Sequence, residues 1–225
     1  MSLTTGRGPL SPDPAGRFSA PLPADVVYVE PFPRRIRALV DGATVLDTER
    51  ALLVHRAGRP PSYAFPADDV TGLDADPEPA APGHVAIAWD AVDTWFEEEE
   101  QVHGHPRNPY HRIDTVPTSR RLRVEVAGTV LVDTADTVGL YETSLRPKLY
   151  VRPDLVDMAL LEPSTTTTYC PYKGTASYWS ARIGDELVAD VAWSYEDPLP
   201  ESLPIRGLLS FDPQRAVVDA ELPPG

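Results

Sequence analysis

The residues best suited to chemistry lie in one short segment, Tyr169–Gly174, which reads Tyr-Cys-Pro-Tyr-Lys-Gly. Cys170 is the only cysteine of the chain, and a tight turn at this spacing would bring Lys173 back over its sulfur. A cysteine attacks as its thiolate, which a nearby ammonium stabilises. The segment therefore indicates a reactive or ligand-contacting pair. The plainer interpretation is a small apolar cysteine under a loop, with the lysine in solvent.

Side chains close to this segment in the sequence are candidates for the same site. Glu162 is a candidate proton-transfer group, and we count it as a catalytic candidate together with Cys170 and Lys173. The candidate ligand contacts in this part of the chain are Thr168, Tyr172, Ser177, Trp179, Trp193 and Tyr195. Aromatic residues on paired strands are more often part of a core, so packing is the alternative role for the aromatic ones.

A second unusual stretch, residues 102–114, is rich in histidine. Three of the five histidines of the chain lie in it: His103, His105 and His111. His-x-His spacing can point two imidazoles to one side of an extended segment, but structural zinc usually requires closely spaced Cys or His pairs. We therefore expect a proline-stiffened strap between two halves of the chain and no metal. Arg107 and His111 are further candidate ligand contacts, and a histidine facing Cys170 would favour an enzyme.

Signatures of common cofactor-dependent enzymes are absent from the sequence. Nucleotidyl transfer normally uses a Gly-rich loop and paired carboxylates that hold Mg²⁺, whereas Asp68-Asp69 is an isolated pair. The P-loop, the dinucleotide-binding fingerprint and the Gly-x-Ser-x-Gly nucleophile elbow are also missing. The sequence therefore predicts no cofactor.

The elements that position these residues are encoded twice. Residues 34–48 align without a gap on residues 120–134, and both segments begin with Arg-Arg and end with Asp-Thr. In each copy two strands join at a turn whose glycine supplies a positive φ, Asp41-Gly42 in the first and Ala127-Gly128 in the second. We therefore expect two β units built to one plan.

The second copy contains a segment that the first copy lacks. It runs through Cys170 and continues into a hairpin of about residues 175–183 and 187–195. This asymmetry places the candidate site in the second copy. We divide the chain into an extended arm (1–25), a reduced first repeat (26–102), a Pro/His-rich connector (103–117) and a complete second repeat (118–222).

A short helix is expected near the end of the first repeat. Asp90 is a suitable N-cap, and Val92, Trp95 and Phe96 would then lie on one helical face. The acidic run of residues 97–100 follows at a helix end where negative charge is unfavourable. We expect the acidic side chains of this run to lie in solvent or to pair with basic groups.

Composition indicates an acidic, ordered, globular chain. The formal net charge is −14, which disfavours binding to nucleic acid or to anionic membranes, because both depend on Lys and Arg. The 26 prolines favour turns and short strands over helices. One cysteine allows no intrachain disulfide, and neither a signal peptide nor a membrane-spanning run is evident. We expect a cytoplasmic monomer or homodimer that binds neither nucleic acid nor membrane.

Several motifs carry a resemblance to a known family. The segment Tyr169–Gly174, with Ala176–Ser180, is similar to the hallmark of the bacterial and fungal domain of unknown function 427, DUF427. Leu161–Ser164 and Asp190–Pro198 support the likeness. The first repeat and the connector resemble the degenerate copy of tandem, mostly actinobacterial members. The resemblance implies a compact, mostly antiparallel β domain, and the nucleotidyltransferase label in some family descriptions comes without a mechanism.

Together these observations predict a mainly β protein. It should contain two pseudo-repeated, compact antiparallel units, barrel-like or tent-like, with one or two short helices. Two classes of function fit this prediction. In the first, the second repeat binds or acts on a small molecule at the loop of Cys170 and Lys173. In the second, the chain is a non-catalytic binding or scaffold module that uses its reduced first repeat as an interface.

Overall fold

The computed structural model describes residues 3–23 and 25–222, and this part of the chain is mainly β. The sheets are antiparallel, and none of them closes into a barrel within the described ranges. The mainly β fold class is therefore confirmed, without the barrel form. The same residues include no helix with the length and apolar character needed to span a membrane. Two compact units are present, the first ending at His111 and the second beginning at Arg112.

Nine strands of the first unit build two sheets. They are β1 (Val27–Pro31), β2 (Ile36–Val40), β3 (Ala43–Thr48), β4 (Leu52–Arg56), β5 (Ser62–Pro66), β6 (Asp76–Pro77), β7 (His84–Ala86), β8 (Thr94–Glu97) and β9 (Glu100–Val102). One sheet has the order β1-β4-β5-β7-β6 and the other the order β3-β2-β8-β9. Their inward side chains form one apolar core that includes Ile36, Leu53, Phe65 and Trp95.

The helix expected after Asp90 does not form. A 3₁₀ turn covers Trp89–Ala91, and the chain then enters β8, which pairs with β2. Trp95 is buried and stacks on Phe65 with the ring centroids 5.9 Å apart, whereas Phe96 lies on the opposite face of the strand. Neighbouring residues on opposite faces follow the period of a strand. The prediction was wrong because pairing with β2 satisfies the backbone of this segment and buries the indole, which outweighs the helical spacing.

Ten strands of the second unit build three sheets. They are β10 (Ile113–Thr118), β11 (Leu122–Val126), β12 (Thr129–Thr134), β13 (Thr137–Glu142), β14 (Lys148–Tyr150), β15 (Leu161–Cys170), β16 (Gly174–Ile183), β17 (Glu186–Ser194), β18 (Leu209–Phe211) and β19 (Val217–Ala220). The sheet orders are β10-β13-β14, β12-β11-β19 and β15-β16-β17-β18. Short 3₁₀ turns lie at Pro153–Leu155, Met158–Leu160 and Pro200–Ile205.

The β15-β16-β17-β18 sheet contributes to two apolar clusters. The larger cluster includes Leu122, Val124, Leu149, Ala181, Leu209 and Phe211. The smaller one has the buried members Leu140, Tyr150, Ala176, Tyr195 and Ile205. Because side chains alternate along β16, Tyr178 packs against the smaller cluster and Trp179 against the larger one. The candidate site lies on the side of the smaller cluster.

The hairpins β2–β3 and β11–β12 share their local geometry. Both have a register shift at the same place, after Ala38 in the first and after Val124 in the second. Both turn through two residues of positive φ, Asp41-Gly42 and Ala127-Gly128, as a tight hairpin turn requires. The ion pairs at corresponding positions are Arg35–Asp47 and Arg121–Asp133. Similar segments of sequence therefore build the same element in each unit.

The segment 103–117 is divided between the units. Residues 103–111 belong to the first unit, and β10 begins two residues later in the second. The described part of the arm, residues 3–23, forms turns and bends. Its start packs into the first unit, because Thr4 is fully buried and its carbonyl accepts a hydrogen bond from the Gly58 N–H at 3.2 Å.

Candidate functional site

The segment around Cys170 closes the hairpin of β15 and β16. Cys170 ends β15 and pairs with Gly174, the first residue of β16. In the loop between them, the Lys173 N–H donates to the Cys170 carbonyl at 3.3 Å. Gly174 has a φ of +92°, and a Cβ there would lie 3.4 Å from the carbonyl oxygen of Asp197. Because L side chains rarely adopt such a φ, the turn requires glycine.

Lys173 points into the interior of the second unit, where its ammonium pairs with Glu142 on β13. The Lys173 Nζ lies 2.5 Å from the Glu142 Oε2, and the two side chains are only 10% and 6% exposed. Burial of either charge alone would be costly, so the two charges depend on each other. The carboxylate of Glu142 therefore compensates the ammonium. Lys173 serves as the anchor of the loop.

Two hydrogen bonds to the loop backbone add to this anchor. The Leu199 N–H donates to the Lys173 carbonyl at 3.1 Å, and the Ser202 Oγ–H donates to the Tyr172 carbonyl at 3.5 Å. Tyr172 is itself buried. The loop is thus fixed through its side chains and its backbone, which holds Cys170 in one position.

Cys170 shares one face of the hairpin with Thr168 and Tyr178. Thr168 pairs with Ala176, and period-2 alternation from this pair places the Cys170 and Tyr178 side chains on the same side. The Thr168 Oγ1 and the Tyr178 hydroxyl oxygen are 3.0 Å apart. Cys170 is partly exposed and forms no disulfide. The face therefore presents one thiol and two hydroxyls.

Two buried tyrosines, Tyr150 and Tyr195, lie under this face. Burial is the main cause that raises the pKa of both phenols, and the neighbouring Cys170 and Glu142 act in the same direction. Both phenols therefore stay protonated at neutral pH. The Tyr150 hydroxyl accepts a hydrogen bond from the Trp193 Nε1–H at 3.1 Å, which fixes the indole at the edge of the face.

Trp193 also contacts a residue that sequence reasoning missed. The Lys148 Nζ lies 4.9 Å from the centre of the indole, a distance typical of a cation–π contact. Burial is the main cause that lowers the pKa of Lys148; Asp212 opposes it, and Lys173 adds to it. Lys148 and Lys173 are the only lysines among 20 basic residues. The rarity of lysine is the sequence signal that could have identified Lys148, because both lysines of the chain lie near one site.

Glu142 and Tyr150 were also missed. They lie on β13 and β14, far from Cys170 in the sequence, and the sheet topology brings them under the hairpin. Neither residue belongs to a local motif of reactive side chains. No short-range pattern in the sequence could have found them.

The structure does not bring three of the predicted site residues to this face. Ser177 and Trp179 lie on the opposite side of β16, where the Trp179 Nε1 donates to the Ser194 Oγ at 3.4 Å. Glu162 is at the other end of β15, on the order of 25 Å from Cys170 along the strand. Its carboxylate makes two hydrogen bonds with Arg182, at 2.8 and 3.1 Å.

The residues predicted from the histidine-rich stretch lie in the first unit. The Arg107 guanidinium donates twice to the Glu100 carboxylate, at 2.6 and 3.0 Å, and the Arg107 N–H donates to the Glu97 Oε1 at 3.1 Å. The His105 Nδ1 lies 2.7 Å from the Pro106 carbonyl oxygen. His103 is exposed and His111 is buried. Residues 3–23 and 25–222 contain no group of three or more His, Cys, Asp or Glu that could hold a metal ion.

Glu97, the first residue of the acidic run, is buried between basic and phenolic groups. Its Oε2 lies 2.5 Å from an Arg34 guanidinium nitrogen, and its Oε1 accepts a hydrogen bond from the Tyr63 hydroxyl at 2.7 Å. Burial is the main cause that raises the pKa of Tyr63, so this phenol remains the donor. The cluster is a structural support of the first unit.

Comparison with known proteins identifies the family. A family model described as a domain of unknown function (DUF427) matches residues 28–82 and 114–222. A search of curated proteins found no match. The second matched segment contains the whole hairpin with Cys170 and Lys173, together with Glu142, Lys148 and Tyr150. Since the matched segments span well over half of its length, the chain belongs to the DUF427 family, as its motifs indicated.

Proposed function

We propose that the second unit binds a small molecule at the face formed by Thr168, Cys170, Tyr178 and Trp193, which we call the Cys170 face. The observation that carries this proposal is the anchoring of the loop through the buried ion pair of Lys173 with Glu142. A face whose groups are already held in place loses little conformational freedom when a ligand arrives.

The exposed groups of the Cys170 face suit a ligand with a ring and a hydrogen-bonding group. The hydroxyls of Thr168 and Tyr178 can each donate or accept. Trp193 is partly exposed and offers part of an indole ring for stacking. The Cys170 thiol is a small, polarizable contact beside them.

Binding fits these groups better than catalysis. The ammonium of Lys173 is committed to Glu142, so we assign it no role in activating the thiol. Glu162, the predicted proton-transfer group, pairs with Arg182 at the other end of the strand. The phenols of Tyr150 and Tyr195 are held protonated by burial and are poor bases.

Disulfide exchange tests this proposal, because Cys170 is the only thiol of the chain. The protein is equilibrated with disulfide-capped fragments that carry phenyl, hydroxyphenyl, indolyl or saturated rings, in competition with 2-mercaptoethanol. Mass spectrometry of the intact protein then measures the fraction conjugated with each fragment. We expect hydroxyphenyl and indolyl fragments to conjugate several-fold more than 2-mercaptoethanol.

Two variants separate binding at the Cys170 face from general thiol reactivity. Tyr178→Phe removes a hydroxyl from the face, and Ser177→Ala removes one from the opposite side of the same strand. We expect the preference for hydroxyphenyl fragments to fall in Tyr178→Phe and to persist in Ser177→Ala. Equal conjugation of all fragments with the unmodified protein would contradict the proposal.

A further inference from the structure

The first unit contains a cavity whose walls are mostly aromatic rings and prolines. It is lined by residues 60–63, Ile87, Trp89, Trp95 and residues 104–106. All of these belong to the first unit, so the cavity is separate from the Cys170 face. Its volume is about 210 Å³. Because an apolar cavity of about 150 Å³ is enough to hold benzene, this one has room for a single ring with a small substituent.

The second unit has a cavity at the corresponding place of the shared plan, lined in part by Phe211 and Val218. Trp89 and Phe211 are at matching positions of the sequence, each directly before an aspartate. Trp95 and Val218 are at matching positions on β8 and β19, since each lies opposite the residue that precedes the register shift of the repeated hairpin. The cavity is therefore a feature of the common plan, and the first unit lines its version with tryptophan.

Three rings of the first unit's cavity pack on one another. The Trp89 indole stacks on Trp95 with the ring centroids 5.3 Å apart and on Tyr63 with the centroids 6.3 Å apart. The centroids of Trp95 and Tyr63 are themselves 5.7 Å apart, too close for rings on opposite faces of the indole. The other face of the half-buried Trp89 has no aromatic partner among the described residues. A flat ring can stack on that face.

Among the polar groups of these three rings, one is left for a ligand. The Tyr63 hydroxyl donates to the Glu97 Oε1 at 2.7 Å, and the Trp95 Nε1–H donates to the Trp89 carbonyl oxygen at 2.9 Å. Within residues 3–23 and 25–222, the Trp89 Nε1–H has no acceptor. The lining includes no Asp, Glu, Lys or Arg, and burial is the main cause that lowers the pKa of His105. The cavity therefore offers flat apolar surface and an indole donor without a charge.

We infer that this cavity binds a small, neutral, flat ring compound that carries a hydrogen-bond acceptor. The ring would stack on the free face of Trp89, and the acceptor would take the hydrogen bond of its Nε1–H. A carboxylate is disfavoured because the lining has no cation to pair with it and the chain is strongly acidic. This inference concerns a different unit from the Cys170 face and does not depend on the proposed function.

Titration of the full chain with benzamide, cyclohexanecarboxamide and benzoate tests the inference. Binding is followed by ¹⁵N NMR of the indole N–H groups, because Trp89 and Trp95 each give one such signal. We expect benzamide to shift both signals in a saturable way. Cyclohexanecarboxamide should bind at least about fivefold more weakly because it has no flat face to stack, and benzoate at least about tenfold more weakly because its charge would be buried without a partner.

Variants of Trp89 locate the ring and the acceptor, with the Trp95 signal as the readout. Trp89→Phe keeps a ring but removes the donor, and it should weaken benzamide binding by about fivefold. Trp89→Leu removes both, and it should abolish the saturable shift. Phe96→Leu is the matched control, because Phe96 lies on the opposite face of β8 from Trp95, and it should leave benzamide binding within about twofold. Alkylation of Cys170 should leave the response of the Trp95 signal unchanged.

Three results would overturn the inference. The first is equal affinity for benzamide and cyclohexanecarboxamide, and the second is a saturable shift that persists in Trp89→Leu. The third is benzamide that moves neither the Trp89 nor the Trp95 signal up to its limit of solubility. The dispersion of the remaining indole signals shows whether each variant is folded. If Trp89→Leu does not fold, Trp89→Phe decides, because it keeps a ring in the stack.

Discussion

Lys173 and Glu142 form an ion pair in the interior of the second unit, and the position of Cys170 depends on it. We predict that Lys173→Met lowers the free energy of unfolding by about 3 kcal/mol, because a buried carboxylate loses its ammonium partner. The double variant Lys173→Met/Glu142→Gln should recover part of this loss, since the remaining charge is then removed too. Urea unfolding of the unmodified chain, the single variant and the double variant measures both values. A loss below about 1 kcal/mol in the single variant would show that the pair is not the anchor.

His55 is a fully buried histidine of the first unit with a defined tautomer. Its Nε2 donates to Glu30 at 2.9 Å, and its Nδ1 accepts a hydrogen bond from the Leu3 N–H at 3.3 Å. Burial is the main cause that lowers the pKa of His55, and Glu30 opposes it. The rings of Tyr28 and Tyr110 pack against the imidazole.

A lowered histidine pKa predicts that acid destabilises the first unit. Below about pH 6.5 the unfolded chain binds a proton that the folded chain does not, so stability falls with pH until the folded pKa is reached. His105, whose pKa burial also lowers, adds to the same trend. We expect His55→Gln to be less stable at pH 7.5 but to lose less stability between pH 7 and 5. Thermal unfolding between pH 5 and 7.5 measures this difference, with His84→Gln as the control. If His55→Gln and the unmodified chain lost stability in parallel as the pH falls, His55 would not be the source of the acid sensitivity.

At the scale of elements, the site depends on the turn between β15 and β16. Gly174→Ala places a Cβ at a φ of +92° and close to a backbone oxygen, whereas Gly184→Ala, at a φ of +58°, meets open space. We predict that both substitutions destabilise the second unit and that Gly174→Ala costs about 1 kcal/mol more. Chemical denaturation of the two variants gives the difference. Equal losses would mean that the turn has room for a side chain.

The local elements could largely be predicted from the sequence, because their determinants are local. The Gly-containing turns after Asp41 and Ala127 and the strands beside them follow from residue type and alternation. The segment after Asp90 could not be predicted, because its pairing partner β2 lies far away in the sequence. Glu142 and Lys148 could not be predicted as neighbours of the site for the same reason. The strand order, and not a sequence motif, brings them there.

At the scale of the whole molecule, each unit has its own apolar core. The buried cluster of the first unit contains Phe65, and the clusters of the second contain Leu122 and Leu140. We predict that Phe65→Ala destabilises the first unit by about 3–5 kcal/mol and leaves the unfolding of the second unit unchanged. Leu122→Ala should destabilise the second unit and leave the unfolding of the first unit unchanged.

Calorimetry of the full chain distinguishes these outcomes. Two unfolding transitions, each shifted by one of the two variants, would agree with independent cores. A single transition that both variants shift together would show that the units unfold as one cooperative body.

The measurement that tests the central claim most directly is the rate at which iodoacetamide alkylates Cys170 in the native chain. If the loop is anchored and the thiol is a binding contact, the native thiol reacts without unfolding. Lys173→Met then makes it react faster, because the loop is released. Val124→Ala, which weakens the core away from the loop, serves as the control and should change the rate less. Slower alkylation in Lys173→Met would contradict the account, since the ammonium would then be activating the thiol.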